Sequence, residues 1–305
     1  MSYKILVTGA YGFLGRHTAK HFNTLGYEVY ALGHGVWQQS ELDEWGVNHW
    51  LFGDVTLDSI QKMKVKFDLI VHCAGGGSVA FSMNEPMKDF QRSVESTLAV
   101  LEYMRLYNPE AKLIYPSSPA VQGVHADMPI KEDDDCNPVS PYGVHKKMAE
   151  DLCLSFAQHF SLDVSIIRFF SIYGDYLQKQ LLWDAANKLM NHSEESIFWG
   201  TGNETRDWIH VDDAVSLIAC IANTSDMPAI INGGSGKKQT INETLTTLNT
   251  ALGTERNFTF NLEVREGDPK YYWSDITNAT SIGWEPKVIF EDGVRRYAKW
   301  FKEQQ

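Results

Sequence analysis

The 305-residue sequence has no apolar run of about 18 residues, the length of a membrane span, and residues 1–6 lack the charged-then-apolar layout of a signal peptide. We therefore expect no membrane partner and a cytoplasmic location. Positive charge is also scarce, because 27 lysine and arginine residues stand against 39 aspartate and glutamate residues, a net charge of −12. That balance disfavours binding to a polyanion, so no nucleic-acid partner is expected.

Cysteine is rare as well, and the few cysteines form no CxxC pair and have no histidine at zinc-finger spacing. We expect four reduced thiols and no metal site. The four are Cys73, Cys136, Cys153 and Cys220. The rest of the composition, 43% hydrophobic and 22% charged, is ordinary for a globular enzyme and leaves ample apolar side chain for a core.

Short apolar runs alternate with helical stretches through the first half of the chain, which predicts a parallel sheet wrapped by helices. The runs are nearly continuous rather than alternating, as expected for strands covered on both faces. The predicted strands are Tyr3–Thr8, Glu28–Leu32, Asn48–Phe52, Leu69–His72, Lys112–Pro116 and Val164–Phe169. After about Tyr173 the pattern becomes irregular, which indicates a second lobe.

A glycine-rich GxxGxxG segment joins the first strand to a helical stretch from Arg16 to Leu25. Such a turn lets backbone amides and the helix N-terminus meet a pyrophosphate, so we predict a dinucleotide site. The residues expected to line this part of it are Gly9, Tyr11, Gly12, Phe13, Leu14 and Gly15.

These features together predict an α/β fold: a Rossmann-type doubly wound parallel sheet with a smaller C-terminal substrate-binding lobe. Residues 1–172 are expected to form the dinucleotide-binding domain. Residues 173–305 are expected to form mainly the substrate-binding lobe, with about 207–232 returning to the main sheet.

The second strand lacks the acidic residue that usually holds the adenosine ribose, because Gly33 and His34 stand there. A missing carboxylate removes both a ribose acceptor and the repulsion of a 2′-phosphate. We therefore expect NAD(P), with NADP slightly favoured over NAD and with His34 or Arg16 near the phosphate. Asp54 and Val55 follow the third strand; Asp54 is a candidate for the adenine amino group or, alternatively, a helix cap.

Tyr142 and Lys146 are four residues apart in a helical stretch and so share one helix face. A tyrosine that acts as a base near neutral pH needs its pKa lowered by about three units, roughly 4 kcal/mol. We expect Lys146 and an oxidised nicotinamide to supply the positive charge. Ser117 and Ser118 follow the fifth strand at the ligand-binding edge, where either hydroxyl can share the proton with Tyr142; alternatively, both are turn residues.

The chain resembles the extended short-chain dehydrogenase/reductase family, and within it the nucleotide-sugar epimerases and dehydratases. The resemblance covers nearly the whole chain. It rests on Gly9–Gly15, His72–Gly75, Ser117–Ser118 with Gly123, Pro141–Lys146, Arg206–Asp213, Gly233–Gly236 and Gly283–Pro286.

The resemblance implies a role for individual residues at these motifs. It implies that Ser118 is the catalytic hydroxyl, that Tyr142 is the base and that Lys146 holds the nicotinamide ribose. It also implies cofactor contacts at Ala74 and Gly75. The residues it assigns to the nucleotide-sugar substrate are Ser118, Ser171, Arg206 and Arg265. Arginine suits a diphosphate because its planar donors match phosphate oxygens and stay charged.

Several positions depart from the family pattern. Gln122 replaces a tyrosine, while Ser93 and Ser171 replace asparagines. We expect Ser93 to change a support near the catalytic tyrosine and Ser171 to alter the diphosphate contact. Dehydratases of the family carry an Asp-Glu pair after the catalytic hydroxyl; Pro119 and Ala120 stand here, so a 4,6-dehydratase is not expected.

The function that we predict is a nucleoside-diphosphate-sugar 4-epimerase, which oxidises C4 transiently with a bound nicotinamide cofactor. The alternative is a one-way NAD(P)-dependent 4-ketoreductase or 4-dehydrogenase, which uses the same three side chains. A remote alternative is a non-catalytic nucleotide-binding or redox-sensing module.

A homodimer is also expected, because two helical stretches carry more apolar residues than one buried stripe requires. The residues are Leu152, Leu154 and Phe156 on the tyrosine-bearing helix and Val94, Leu98, Leu101 and Met104 on a helix over 87–107. The resemblance implies the same arrangement. The alternative is that both helices bury these side chains within their own subunit.

Overall fold

The computed structural model describes residues 3–191, 196–263 and 269–305. Its strands are β1 (Lys4–Thr8), β2 (Glu28–Gly33), β3 (His49–Phe52), β4 (Leu69–His72), β5 (Lys112–Ser117), β6 (Asp163–Phe169), β7 (Ser171–Tyr173), β8 (Ser196–Phe198), β9 (Thr205–His210), β10 (Ile230–Gly233), β11 (Lys238–Thr240) and β12 (Phe258–Phe260). Within the described ranges, seven of them form a parallel main sheet in the order β10-β6-β5-β4-β1-β2-β3. The predicted α/β fold with a doubly wound parallel sheet is confirmed.

The helices are α1 (Phe13–Thr24), α2 (Gln39–Glu44), α3 (Leu57–Lys62), α4 (Val79–Asn84), α5 (Pro86–Phe90), α6 (Ser96–Tyr107), α7 (Pro141–Phe160), α8 (Gln180–Met190), α9 (Val211–Ala222), α10 (Ile241–Leu252), α11 (Thr277–Ser281) and α12 (Phe290–Glu303). A π-helical turn, Gln91–Glu95, joins α5 to α6, so the helix expected over 87–107 is not one regular α-helix. No described helix is long and apolar enough to cross a bilayer.

Two apolar layers cover the main sheet, one on each face. Successive side chains of a strand point to opposite faces, so Ile5 and Val7 join one layer while Leu6 joins the other. The first layer includes side chains of α1 and α9, and the second includes side chains of α3, α6 and α7. This two-sided covering explains why the strands read as continuous apolar runs.

The apolar residues of α6 and α7 mostly serve this core rather than an outer surface. Val94, Leu101 and Met104 are buried, and Leu101 and Met104 lie in the layer against the sheet. Their expected position at a subunit interface is therefore wrong, because α6 and α7 pack together over the sheet. Leu98 is exposed. On α7, the side chains of Leu152, Leu154 and Phe156 are only partly buried and pack against the same layer.

The carboxyl ends of the main strands meet along one edge of the sheet. Thr8 at the end of β1 is paired with Leu32 of β2 on one side and with His72 of β4 on the other. From β1 the chain passes to β2 on one side, and from β3 it crosses back to β4 on the other side, so a crevice opens beyond the carboxyl end of β1. In open α/β sheets that crevice is where ligands bind.

A second apolar cluster lies outside the main sheet, built on α8, α10 and α12 with side chains of β7 and β9. Two small sheets, β11-β9-β7 and β12-β8, accompany it. The end of the stretch 207–232, which was expected to return to the main sheet, lies in β10, and β10 pairs with β6 at the edge of that sheet. Between β9 and β10, α9 packs against α1.

Candidate active site

The glycine-rich turn after β1 is closely packed and leaves the start of α1 open. Gly9 has φ +64°, and a Cβ there would lie 2.6 Å from the backbone nitrogen of Ala74. A Cβ at Gly15 would overlap the carbonyl oxygen of Gly9. Gly12 is the N-cap of α1, and among the described residues no side chain caps this end or places an acid in its first turn. The free N–H groups and the helix dipole therefore fit a pyrophosphate.

Tyr11 and Arg16 lie together beside this turn. The Arg16 guanidinium donates a hydrogen bond to the carbonyl oxygen of Tyr11 (2.6 Å) and stacks on the rings of Tyr11, Trp45 and Tyr176 at 5.1–5.5 Å. Burial lowers the pKa of Arg16 from its ordinary value. The Tyr11 ring also contacts Trp37 (5.4 Å between centroids). Phe13 packs edge-on against a histidine ring of α1, and Leu14 packs against the core.

His34 and Asp54 form a contact at the ends of β2 and β3. Nε2 of His34 lies 2.7 Å from Oδ1 of Asp54, and both side chains are exposed. The His34 ring meets Phe52 edge-on. Gly33 precedes His34, so the end of β2 carries no carboxylate of its own; Asp54, two residues after the end of β3, places a carboxylate beside His34. Val55 is only partly buried and packs against the core.

The helix that carries Tyr142 begins at a Ser-Pro pair. Oγ of Ser140 accepts a hydrogen bond from the N–H of Gly143 (3.2 Å), and Pro141 occupies the first turn, where its missing N–H costs nothing. The backbone N–H of Tyr142 donates to Oγ of Ser82 on α4 (3.0 Å). These contacts fix the start of α7 at the carboxyl edge of the sheet.

Ser118 connects two tyrosines that are distant in the sequence. It follows β5 directly, and its Oγ accepts a hydrogen bond from the N–H of Ala120 (3.2 Å). Burial raises the pKa of both Tyr142 and Tyr272, and hydrogen bonding with the Ser118 side chain acts against this rise in each. The hydroxyl of Ser117, by contrast, is buried without a partner among the described residues. Of the two candidate serines, Ser118 is therefore the one that affects the pKa of Tyr142.

The pKa of Tyr142 is raised to about 12, chiefly by burial. The hydrogen bond with Ser118 acts against this rise, and the Asp89 carboxylate adds to it. Burial also lowers the pKa of Lys146 to about 8. The lowered tyrosine pKa expected from the sequence is thus not produced by the chain alone, because desolvation of the phenolate outweighs the local hydrogen bond.

Lys146 is buried beneath the loop that follows β4. Its Nζ donates to the hydroxyl of Tyr115 (3.2 Å) and to the carbonyl oxygen of Pro116 (2.9 Å). A Cβ at Gly75 would lie 3.7 Å from this Nζ. The N–H of Ala74 donates to Oγ1 of Thr8 (3.2 Å), which ties the loop to β1.

Two of the positions that depart from the family pattern have defined contacts. Oγ of Ser93, in the π-helical turn, accepts a hydrogen bond from the N–H of Gly76 (3.0 Å). Ser93 therefore supports the loop beside Lys146. Gln122 is buried, and its side-chain nitrogen donates to the carbonyl oxygen of Lys131 (2.5 Å).

Besides Ser118, three residues are expected at the substrate: Arg206, Ser171 and Arg265. Arg206 on β9 donates to the carbonyl oxygens of Thr205 and Pro269 (both 2.8 Å), and its guanidinium lies 5.9 Å from the centre of the Tyr272 ring. Ser171 begins β7 and is only half-buried. Arg265 lies outside the described residues.

Sequence reasoning missed Tyr272, which joins Ser118 from more than 150 residues away. Its ring contacts Phe170 (5.3 Å between centroids). Burial raises its pKa, so the phenol is neutral. No local pattern distinguishes it from the adjacent Tyr271, because the contact depends on how the second lobe folds back over the sheet edge.

Comparison with known proteins fits this geometry. A family model described as the NAD dependent epimerase/dehydratase family matches residues 5–234, which is most of the chain. The chain belongs to that family. The expected membership of the nucleotide-sugar epimerase group is confirmed.

Relatives within the epimerase/dehydratase family differ in sugar and reaction. A UDP-N-acetylglucosamine 4-epimerase from Methanobrevibacter ruminantium M1, solved with UDP-N-acetylmuramic acid, has a TM-score of 0.89 at 26% identity, over 100% of this chain and 99% of that one. A UDP-glucuronic acid 4-epimerase from Bacillus cereus, solved with UDP-glucuronic acid and NAD, has a TM-score of 0.87 at 25% identity, over 99% and 100%. UDP-glucuronic acid decarboxylase 1 of Danio rerio is 25% identical over 99% of this chain and 73% of its own length.

Proposed function

We propose that this chain is a nucleoside-diphosphate-sugar 4-epimerase. The observation that carries the proposal is the position of Tyr142 at the start of α7, four residues before the buried Lys146 and at the sheet edge where the glycine-rich turn opens. Burial raises the pKa of Tyr142, and hydrogen bonding with the Ser118 side chain acts against this rise. A hydroxyl paired with a phenol at such an edge suits the removal and return of a sugar hydroxyl proton. The match to 4-epimerases over nearly their full length supports this reading.

Each side chain has a defined part in the proposed reaction. Tyr142 takes the proton from the C4 hydroxyl of the sugar at its phenolic oxygen and later returns it, while Ser118 holds that hydroxyl in line by hydrogen bonding. A bound nicotinamide would take up a hydride from C4 and give it back. Because burial raises the Tyr142 pKa, the positive charge of an oxidised cofactor is the source that we propose for lowering it.

We propose that Lys146 binds the nicotinamide ribose and that the loop at Ala74 and Gly75 lies against the cofactor. Two donors of the Lys146 ammonium are used by protein acceptors, which leaves one for a ribose hydroxyl. The open N-terminus of α1, with Gly12 and Phe13, would hold the pyrophosphate. Asp54 would meet the adenine.

The substrate diphosphate is assigned to arginines of the second lobe. Arg206 has its guanidinium beside Tyr272, which itself contacts Ser118, so a sugar diphosphate bound there would place its sugar near the reacting hydroxyls. Arg265 and Ser171 complete the proposed set. In this proposal residues 173–305 form mainly the substrate-binding lobe and residues 1–172 hold the dinucleotide.

The choice between NAD and NADP is the finer part of the proposal. Because residue 33 is a glycine and not an acid, we slightly favour NADP over NAD as the cofactor. His34 or Arg16 would then lie beside the 2′-phosphate. The contact of His34 with Asp54 argues against NADP, because it brings a carboxylate close to the end of β2, where the 2′-phosphate would bind. NAD is therefore retained as the alternative.

A one-way 4-ketoreductase or 4-dehydrogenase would use the same three side chains and differ in releasing the cofactor at each turnover. A module without activity would not need Ser118, Tyr142 and Lys146 together.

We also propose a symmetric homodimer and a cytoplasmic location.

The deciding experiment incubates the purified protein with a panel of UDP-, CDP-, GDP- and dTDP-sugars and analyses the products by mass spectrometry and chromatography. An epimerase gives a C4 isomer of unchanged mass without added reductant, and the protein's ultraviolet spectrum shows retained nucleotide. A mass change of two units that requires added NAD(P) or NAD(P)H would identify a dehydrogenase or reductase, and loss of carbon dioxide a decarboxylase. Either result would contradict the proposal.

A further inference from the structure

The buried ammonium of Lys146 faces the ring and the hydroxyl of Tyr115 on β5. Nζ lies 3.2 Å from the Tyr115 hydroxyl and 4.7 Å from the centre of its ring. Tyr115 has no exposed surface. Because an ammonium can only donate, the Tyr115 oxygen must accept this hydrogen bond, which leaves its own proton for another acceptor.

Thr97 on α6 is a polar neighbour of this hydroxyl. Burial raises the pKa of Tyr115, and hydrogen bonding with the Thr97 side chain acts against this rise. Oγ1 of Thr97 donates to the carbonyl oxygen of Ser93 (2.6 Å), which fixes the Thr97 side chain against the π-helical turn.

The Tyr115 ring is itself held in place. It stacks on His72 of β4 with centroids 5.9 Å apart and an interplanar angle of 28°. Both nitrogens of His72 are used, by Oγ1 of Thr8 (2.6 Å) and by Oγ of Ser96 (3.2 Å). Burial lowers the pKa of His72 to about 3, so a neutral ring lies behind Tyr115 and adds no positive charge opposite Lys146.

We propose that Tyr115 is a positioning residue for Lys146, whose ammonium it holds with its hydroxyl and ring face so that the remaining donor points out of the core towards the cofactor. The proposal rests on the proposed function in one respect, the binding of a nicotinamide dinucleotide. Tyr115 touches neither cofactor nor substrate in this scheme, and it acts only through Lys146.

A consequence is that Tyr115 helps to keep Lys146 charged. Burial lowers the Lys146 pKa to about 8, and an acceptor hydroxyl together with a ring face favours the ammonium. The other titratable groups that face Lys146 are Glu150 and Cys153 on its own helix, Cys73 and His72 at the end of β4, and Asp89 on α5. Removing the Tyr115 hydroxyl should therefore lower the Lys146 pKa further.

The test compares Tyr115→Phe with Tyr103→Phe. Tyr103 lies in the same apolar layer and is also buried, and its hydroxyl donates to the carbonyl oxygen of Val65 (2.7 Å), away from Lys146. Each variant loses one buried hydrogen-bonded oxygen, so each should lower the melting temperature. Binding of NADH and NADPH is followed by fluorescence titration from pH 6 to 10. Tyr115→Phe should weaken binding about tenfold and move its alkaline loss about one pH unit lower, and Tyr103→Phe should change neither.

A second pair of variants shows whether the effect passes through the lysine. In a Lys146→Ala background, Tyr115→Phe should change dinucleotide affinity less than about twofold, because the partner is gone. A tenfold loss that persists without Lys146, or an affinity in Tyr115→Phe equal to that of Tyr103→Phe, would overturn this inference alone. Failure of the parent protein to bind either dinucleotide would overturn the proposed function as well.

Discussion

Oε2 of Glu150 lies 2.8 Å from Nη2 of Arg168, and both side chains are almost completely buried. Glu150 is on α7, two turns after Tyr142, and Arg168 is on β6, so the ion pair fastens the tyrosine-bearing helix to the sheet. Arg168 also donates to the carbonyl oxygen of Glu132 (2.9 Å). Arg168 thus joins the helix, the sheet and the loop that contains Glu132.

Glu150→Ala should lower the free energy of unfolding by about 3–5 kcal/mol, because it leaves the Arg168 guanidinium buried without its carboxylate. The neighbouring exposed pair of Lys147 and Asp151 is the control, and Asp151→Ala should cost at most about 1 kcal/mol. Urea unfolding measures both. Equal small losses would show that water reaches Arg168.

Tyr142→Phe should reduce kcat at least about 100-fold while cofactor affinity stays near that of the parent, because only proton transfer is lost. Ser118→Ala should also reduce kcat, since burial raises the pKa of Tyr142 and hydrogen bonding with Ser118 acts against this rise. Ser117→Ala is the matched control and should retain near-normal turnover, because the Ser117 hydroxyl has no partner within the described residues. Near-normal turnover by Tyr142→Phe would remove its assignment as the base.

Protonation of His72 should lower the free energy of unfolding as the pH falls. Its pKa in the folded chain, about 3, lies below the ordinary value near 6.5, so the unfolded chain takes up the proton first. The stability that His72 contributes is fully present above about pH 6.5 and is lost as the pH falls towards 3, by about 1.4 kcal/mol per pH unit.

Urea unfolding between pH 7 and 4.5 tests this pH dependence. His72→Gln, which cannot take up the proton, should show a slope smaller by about 1.4 kcal/mol per pH unit, even if it is less stable at pH 7. His159→Gln, at an exposed position near the end of α7, should keep the slope of the parent. Parallel curves for parent and His72→Gln would mean that His72 is protonated in the folded protein.

The main sheet was predictable because each of its strands is covered on both faces, and such a strand consists of consecutive apolar residues in the sequence. All six predicted strands have both ends within one residue of the structure, and Leu69–His72 agrees at both. The glycine-rich turn and the start of α7 were also predictable, because Gly9 and the Ser140-Pro141 pair carry local chemistry. Local patterns were sufficient wherever neighbours in sequence supply the contacts.

The contacts around the two tyrosines were not predictable. Tyr272 reaches Ser118 only through the folding of the second lobe, and the role of Tyr115 is hidden because a tyrosine in a strand is ordinary. The prediction of a single helix over 87–107 was wrong because the spacing of apolar residues does not distinguish a regular α-helix from a helix that contains a π turn. The raised Tyr142 pKa depends on burial, which no spacing rule supplies.

Gly33→Asp should shift cofactor preference towards NAD by at least about tenfold, the effect of roughly 1.4 kcal/mol. A carboxylate there would accept hydrogen bonds from the ribose hydroxyls and repel a 2′-phosphate. The site has room, because a Cβ at Gly33 would lie 3.4 Å from Cα of Gly9 and 3.6 Å from the Trp50 ring. Gly33→Asn is the uncharged control. Titration with both dinucleotides decides, and an unchanged preference would show that residue 33 does not face the ribose.

The proposed homodimer concerns the outer sides of α6 and α7, which still carry exposed apolar residues after the core is complete. Leu98 on α6 is 43% exposed, and Val144 and Met148 on α7 are 38% and 45% exposed. Two such helices from each of two chains would make a four-helix interface with twofold symmetry, which would brace the helix that carries Tyr142. Light scattering at micromolar concentration should give the mass of two chains.

Leu98→Glu and Met148→Glu should each shift that mass towards one chain, because the charge would be desolvated at the interface. Leu25→Glu, at an exposed apolar residue that follows α1, should leave the dimer intact. Activity should fall on dilution in the two interface variants and not in the control, since the start of α7 would lose its support. A parent protein with the mass of one chain, and with activity independent of dilution, would leave the alternative in which both helices serve only their own subunit.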